Sequence, residues 1–105
     1  MVFIETSIFT RQIQTLVTDD HLGALQEWIA TSPTAGNLIK GSGGCRKLCW
    51  NTAATGRRGG IRVVYYWLKD RDLVLLLLAY AKSRSDDLSQ AQIRMLGEIV
   101  KLELR

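Results

Sequence analysis

The sequence predicts an α+β domain with its elements in the order β-α-α-β-β-β-α, a largely antiparallel sheet packed by helices. Two observations carry this. Apolar residues recur at helical spacing in two segments before Pro33 and in one after Ser89. Between them lie three strand-like segments, separated by glycine-bearing or charged connectors. At 105 residues the chain is expected to be one domain, residues 1–105, because smaller pieces could not bury a core. An apolar fraction of 47% argues against intrinsic disorder.

The elements follow in order. "VFIE" is a short apolar first strand. Thr6 or Ser7 can cap a helix that places Phe9, Ile13, Leu16 and Val17 at helical spacing. Thr18, followed by Asp19 and Asp20, restarts a helix with acids in its first turn, where the helix dipole favours them. Leu22, Leu25, Trp28 and Ile29 are its expected buried stripe, and Pro33 ends it. "TAGNLIKGSGG" is expected to be loop, with three glycines in residues 41–44. "CRKLCWN" is a short mixed strand, and "GGIRVVYYWLKD" is rich in β-branched and aromatic residues. "DLVLLLLAYAK", apolar on both faces, suits a central strand covered above and below. "KDRD" makes these last two a hairpin, and Ser89 with Gln92 forms a capping box ahead of Ile93, Leu96, Val100 and Leu104.

Charge is unevenly distributed. The net charge of +4 is modest, yet no carboxylate occurs between Glu27 and Asp70. Lys40, Arg46, Lys47, Arg57, Arg58, Arg62 and Lys69 all fall in that interval. Such a basic middle suits a phosphate-rich partner. "MVFIETSIFTRQ" meets charge too early for a secretion signal, and "LVLLLLAYA" is about half the ~20 residues a membrane helix needs. A soluble, cytoplasmic protein without a membrane partner is expected. Cys45 and Cys49, if on a strand, lie roughly 13 Å apart, beyond the ~7 Å reach of a disulfide. They are expected to be free thiols.

Strand alternation sorts the side chains by face. Cys45, Lys47 and Cys49 share one face of their strand, opposite Arg46, Leu48 and Trp50. Arg62, Val64, Tyr66 and Leu68 share a face of the next, opposite Ile61, Val63, Tyr65 and Trp67. On the last, Tyr80 and Lys82 are expected to share a face with Val74, Leu76 and Leu78. Lys47, Arg62 and Lys82 are therefore candidates to converge on one surface, with Arg57 and Arg58 beside them. Arginine forks grip phosphate bidentately and lysine supplies a mobile point charge. Exposed aromatic rings would stack unpaired bases, although an alternating strand turns at least half of its rings inward. The lone His21 reads as a helix-surface residue, and Asp86 and Asp87 as helix entry rather than a general base. No nucleophilic triad, phosphate-binding glycine loop or metal cluster is visible.

Taken together, "GCRKLCW", "GRRGGIRVVYYW" and "LLLLAYAKSRSDDLS" resemble the RelE/HigB superfamily of toxins from bacterial toxin–antitoxin modules, in particular its HigB-like branch. The likeness runs over nearly the whole chain. It implies a microbial RNase-type sheet and a ribosome-dependent mRNA endonuclease that uses no metal and no cofactor. In such an enzyme the 2′-hydroxyl attacks the adjacent phosphate to give a 2′,3′-cyclic phosphate, aided by basic residues. By resemblance, Lys47, Arg62 and Lys82 are the catalytic positions, and Arg46, Arg57, Arg58 and Arg84 support RNA or ribosome binding. The implied partners are mRNA on the ribosome and an antitoxin, a helix-turn-helix protein through which alone DNA would be met. Two positions depart from the pattern: Cys49 stands where relatives often carry a cation, and Leu88 where some carry a tyrosine. A non-enzymatic RNA- or partner-binding module of the same fold is the alternative, and a DNA-binding regulator a more distant one.

Overall fold

Thr6 and Thr18 each open a helix in the same way. Each adopts an extended backbone and accepts, on its hydroxyl, a hydrogen bond from the amide three residues on: Phe9 at 3.0 Å and His21 at 3.3 Å. The computed structural model, which describes residues 1–50, 60–82 and 88–103, shows eight regular elements. They are β1 (Val2–Glu5), α1 (Ser7–Gln14), α2 (Asp19–Thr31), β2 (Asn37–Leu38), β3 (Arg46–Trp50), β4 (Ile61–Leu68), β5 (Leu73–Ala81) and α3 (Gln90–Glu103). The sequence-derived order is present with one addition, the two-residue β2 inside the expected loop. Two residues carry no periodic signal; β2 exists because it pairs with Arg46 and Lys47 of β3.

The strands form one sheet in the order β1-β5-β4-β3-β2. Every neighbouring pair is antiparallel except β1 with β5. β4 therefore sits at the centre, and β5 lies between β4 and β1, an interior position that explains why β5 reads as apolar on both faces. The connector between them is a 3-10 turn, Lys69–Arg71, closed by Asp72 in the left-handed region at φ 49°.

Helices cover both faces. α1 and α2 pack Phe9, Ile13, Leu25 and Ile29 against Leu48, Ile61, Val63, Tyr65, Val74 and Leu76. α3 packs Leu96 and Val100 against Cys45, Val64, Leu75 and Leu77 on the other. Trp28 departs from the expected buried stripe of α2: it is 39% exposed and lies against the Trp50 ring at 5.1 Å. α3 begins with the expected capping box. Ser89 N–H donates to the Gln92 side-chain oxygen at 2.8 Å, and Gln92 N–H to the Ser89 hydroxyl at 3.1 Å.

One expectation about β5 is corrected. Tyr65 pairs with Leu76 but Val64 pairs with Leu78, so Leu77 is an extra residue in β5. Val74 and Leu76 therefore face α1 and α2, whereas Leu78 and Tyr80 face α3. Simple alternation across the whole strand had grouped all four together. No described helix is long and apolar enough to cross a membrane.

Candidate nucleic-acid interface

The α3 side of the sheet collects the candidate residues. Val64, Tyr66 and Leu68 lie on that side, so strand alternation puts Arg62 there as well. Cys45 lies there too, which assigns Lys47 and Cys49 to the same face of β3. Tyr80 belongs to it on β5, and Lys82 follows two residues on, its N–H donating to Gly60 O at 3.3 Å.

Register then fixes the neighbours. Arg62 stands opposite Cys49 on one side and Tyr80 on the other, with Cβ separations of about 4.5–5.5 Å for directly opposed residues. Lys47 is paired with Val64, so it is the diagonal neighbour of Arg62, at about 7–8 Å. The Gly60–Lys82 hydrogen bond makes Lys82 the corresponding neighbour on the opposite diagonal. The three cations thus form an oblique line across β3, β4 and β5, with Arg62 in the middle.

Their surroundings differ. Arg62 is only 8% exposed, Lys47 is half-buried and Lys82 is exposed. A buried arginine loses hydration that a surface cation keeps. A role in solubility therefore accounts for Lys82 far better than for Arg62. Cys49 is an exposed free thiol, while Cys45 is buried and also free. Burial pushes the Cys45 thiol up, opposed in part by a side-chain hydrogen bond with Ser42, so this thiol stays neutral within the core.

Arg46 is not brought to this surface. It projects from the opposite face of β3 and donates from Nη1 to Gly36 O at 2.9 Å and Thr34 O at 3.3 Å. Its guanidinium ties the segment before β2 to the sheet. Arg57, Arg58 and Arg84, with Asp86 and Asp87, lie outside the described residues. His21 sits in the first turn of α2, its Nδ1 2.9 Å from the Thr18 hydroxyl, as the sequence suggested. Tyr80 had no assigned role, because its sequence position places it merely on a strand; only register shows that it flanks Arg62.

No family model matches the chain. A solved structure of the E. coli toxin RelE, a double mutant in the free state, superposes on it with a TM-score of 0.53. The match covers 81% of this chain and 86% of that one, at 15% sequence identity. The fold is RelE-like. Within the RelE-like fold the oblique cation line occupies the α3 face of the sheet, at the end where β3 stops and β4 begins. Among the described residues, no three His, Cys, Asp or Glu side chains gather closely enough to hold a metal ion.

Proposed function

We propose that the chain is a toxin of the RelE/HigB kind, in its HigB-like branch, that cuts mRNA on the ribosome. The observation that carries this reading is Arg62: an arginine only 8% exposed near the start of the central strand, with Lys47 and Lys82 on its two diagonals. In the reaction, the 2′-oxygen bonds to the adjacent phosphorus as the bond from phosphorus to the 5′-oxygen breaks. The departing 5′-oxygen takes a proton from water, so the products are a 2′,3′-cyclic phosphate and a 5′-hydroxyl. Negative charge grows on the non-bridging oxygens, and a fixed guanidinium stabilises it without reorganising. Lys47 is the candidate to take the 2′-hydroxyl proton, and Lys82 to hold a neighbouring phosphate. The proposed partners are ribosome-bound mRNA and a helix-turn-helix antitoxin that covers or distorts the basic face, all in the cytoplasm.

The test is induction of the chain in bacteria, with and without the product of the neighbouring gene, followed by mapping of transcript 5′ ends. New ends at ribosome-occupied positions are expected, suppressed by the neighbour and absent with Lys47→Ala. Growth arrest without new ends would refute cleavage, and unchanged ends with Lys47→Ala would remove Lys47 from proton transfer.

Cys49 favours a second reading, a non-enzymatic binding module. An exposed thiol directly opposite Arg62 cannot do the work of a guanidinium at phosphate. If the thiol weakens the phosphate cradle, Cys49→Arg raises the rate of mRNA cleavage about 10-fold, the size of one modest charge-assisted contact. An unchanged rate retires the idea that position 49 is a lesion. The cost is a like-charge pair across the strands, visible as a small fall in melting temperature.

A further inference from the structure

We propose that Tyr80 is a positioning residue for Arg62: its ring walls the guanidinium on the β5 side and aims the fork toward β3. This deepens the nuclease reading and rests on it. The argument starts from an asymmetry. Arg62 has two directly opposed neighbours on the same face, Cys49 and Tyr80. Cys49 is exposed; Tyr80 is half-buried, packed into the α3-side cluster, and its hydroxyl oxygen is buried. Toward α3, the next pair in the register is Val64, fully buried, and Leu78.

Among the described residues, Arg62 is flanked on β5 by Tyr80, with Val64 and Leu78 next in the register, whereas its neighbour on β3, toward Lys47, is the small, exposed Cys49. Arginine binds phosphate well only when its planar fork meets two oxygens together. A long side chain free to rotate loses much of that advantage, because orientation is part of the barrier that enzymes remove. A ring held by the core at a fixed strand position is a rigid backstop. Because the hydroxyl is turned into protein, the ring rather than the oxygen does the positioning.

Two measurements on the intact purified chain test this. The first is cleavage of mRNA on programmed ribosomes by the parent, Tyr80→Phe and Tyr80→Leu, each also combined with Arg62→Lys. Tyr80→Phe is expected within about threefold of the parent, and Tyr80→Leu about 10- to 100-fold slower in kcat at unchanged KM. The loss from Tyr80→Leu should vanish in the Arg62→Lys background, where no fork remains to aim. An equal loss in both backgrounds, or Tyr80→Phe as slow as Tyr80→Leu, overturns the proposal. The second is NMR of the Arg62 Nε–H group, which requires no activity. Its order should fall in Tyr80→Leu and persist in Tyr80→Phe; an equally ordered Arg62 in Tyr80→Leu overturns the wall. A parent chain that cuts no RNA removes the nuclease reading, and the NMR comparison then decides by itself whether Tyr80 holds Arg62.

Discussion

Arg62→Lys is expected to slow mRNA cleavage by about 100-fold, the scale seen when one fixed donor to a developing oxyanion is removed. The positive charge is kept, so a purely electrostatic surface would scarcely register the change. What is lost is the planar fork. Lysine offers a compact, mobile point charge that cannot engage two phosphate oxygens in one plane. Position 62 is also the least forgiving place for the exchange. It lies on the central strand between Cys49 and Tyr80, with 8% of the residue exposed, so a substituted side chain has little freedom to find another approach. The measurement is single-turnover cleavage on programmed ribosomes, with a thermal melt to show that the variant is folded. A folded lysine variant that cuts at nearly the parental rate would falsify the assignment of Arg62 to the reacting phosphate.

Gly36→Ala is expected to destabilise the fold by about 2–3 kcal/mol, the upper range for overpacking a filled site. For a domain of this size that lowers the melting temperature by roughly 10–20 °C. Space, rather than backbone conformation, is the reason. A Cβ at position 36 would lie 2.9 Å from Tyr65 Cε1, 3.0 Å from Tyr65 Oη and 3.1 Å from Arg46 Cβ. The Tyr65 ring is fully buried and cannot retreat. Its hydroxyl accepts from Gly36 N–H at 3.0 Å and donates to Pro33 O at 2.7 Å, so displacing it also breaks two buried hydrogen bonds. Burial pushes the Tyr65 phenol up, against the Gly36 hydrogen bond and the Arg46 charge that lower it. The phenol therefore remains a neutral donor at ordinary pH. A melting temperature within a few degrees of the parent would show that the segment before β2 gives way instead.

The sequence carried the two-sided reading of the sheet because side-chain direction alternates locally. Arg62 and Lys47 could be placed on faces of their own strands from periodicity alone. Which faces coincide, and which residues stand opposite, depend on pairing between strands, and a single sequence does not encode that visibly. Hence Cys49 and Tyr80 could not be recognised as the two flanks of Arg62. Leu77 illustrates the limit most sharply. In an unbroken run of leucines nothing marks which residue is the extra one, yet it reverses the facing of everything beyond it. Arg46 escaped for a different reason. Its partners are backbone carbonyls of Thr34 and Gly36, and acceptors supplied by the main chain leave no trace in residue identity. Burial of Arg62 was hidden as well, since a charged residue in a strand reads as solvent-facing until its neighbours across the sheet are known.

β1 pairs in parallel with β5, residue 2 with residue 73 and residue 5 with residue 76. Thr6 reinforces the join, its N–H bonded to Leu76 O and its hydroxyl to Leu77 O. β1 therefore cannot dock until β5, some seventy residues further along the chain, is available to receive it. Loop closure over some seventy residues is slow compared with zipping the β4–β5 hairpin. During translation β1 consequently stays unanchored until β5 has been made, and the β1 side of β5 is covered only then.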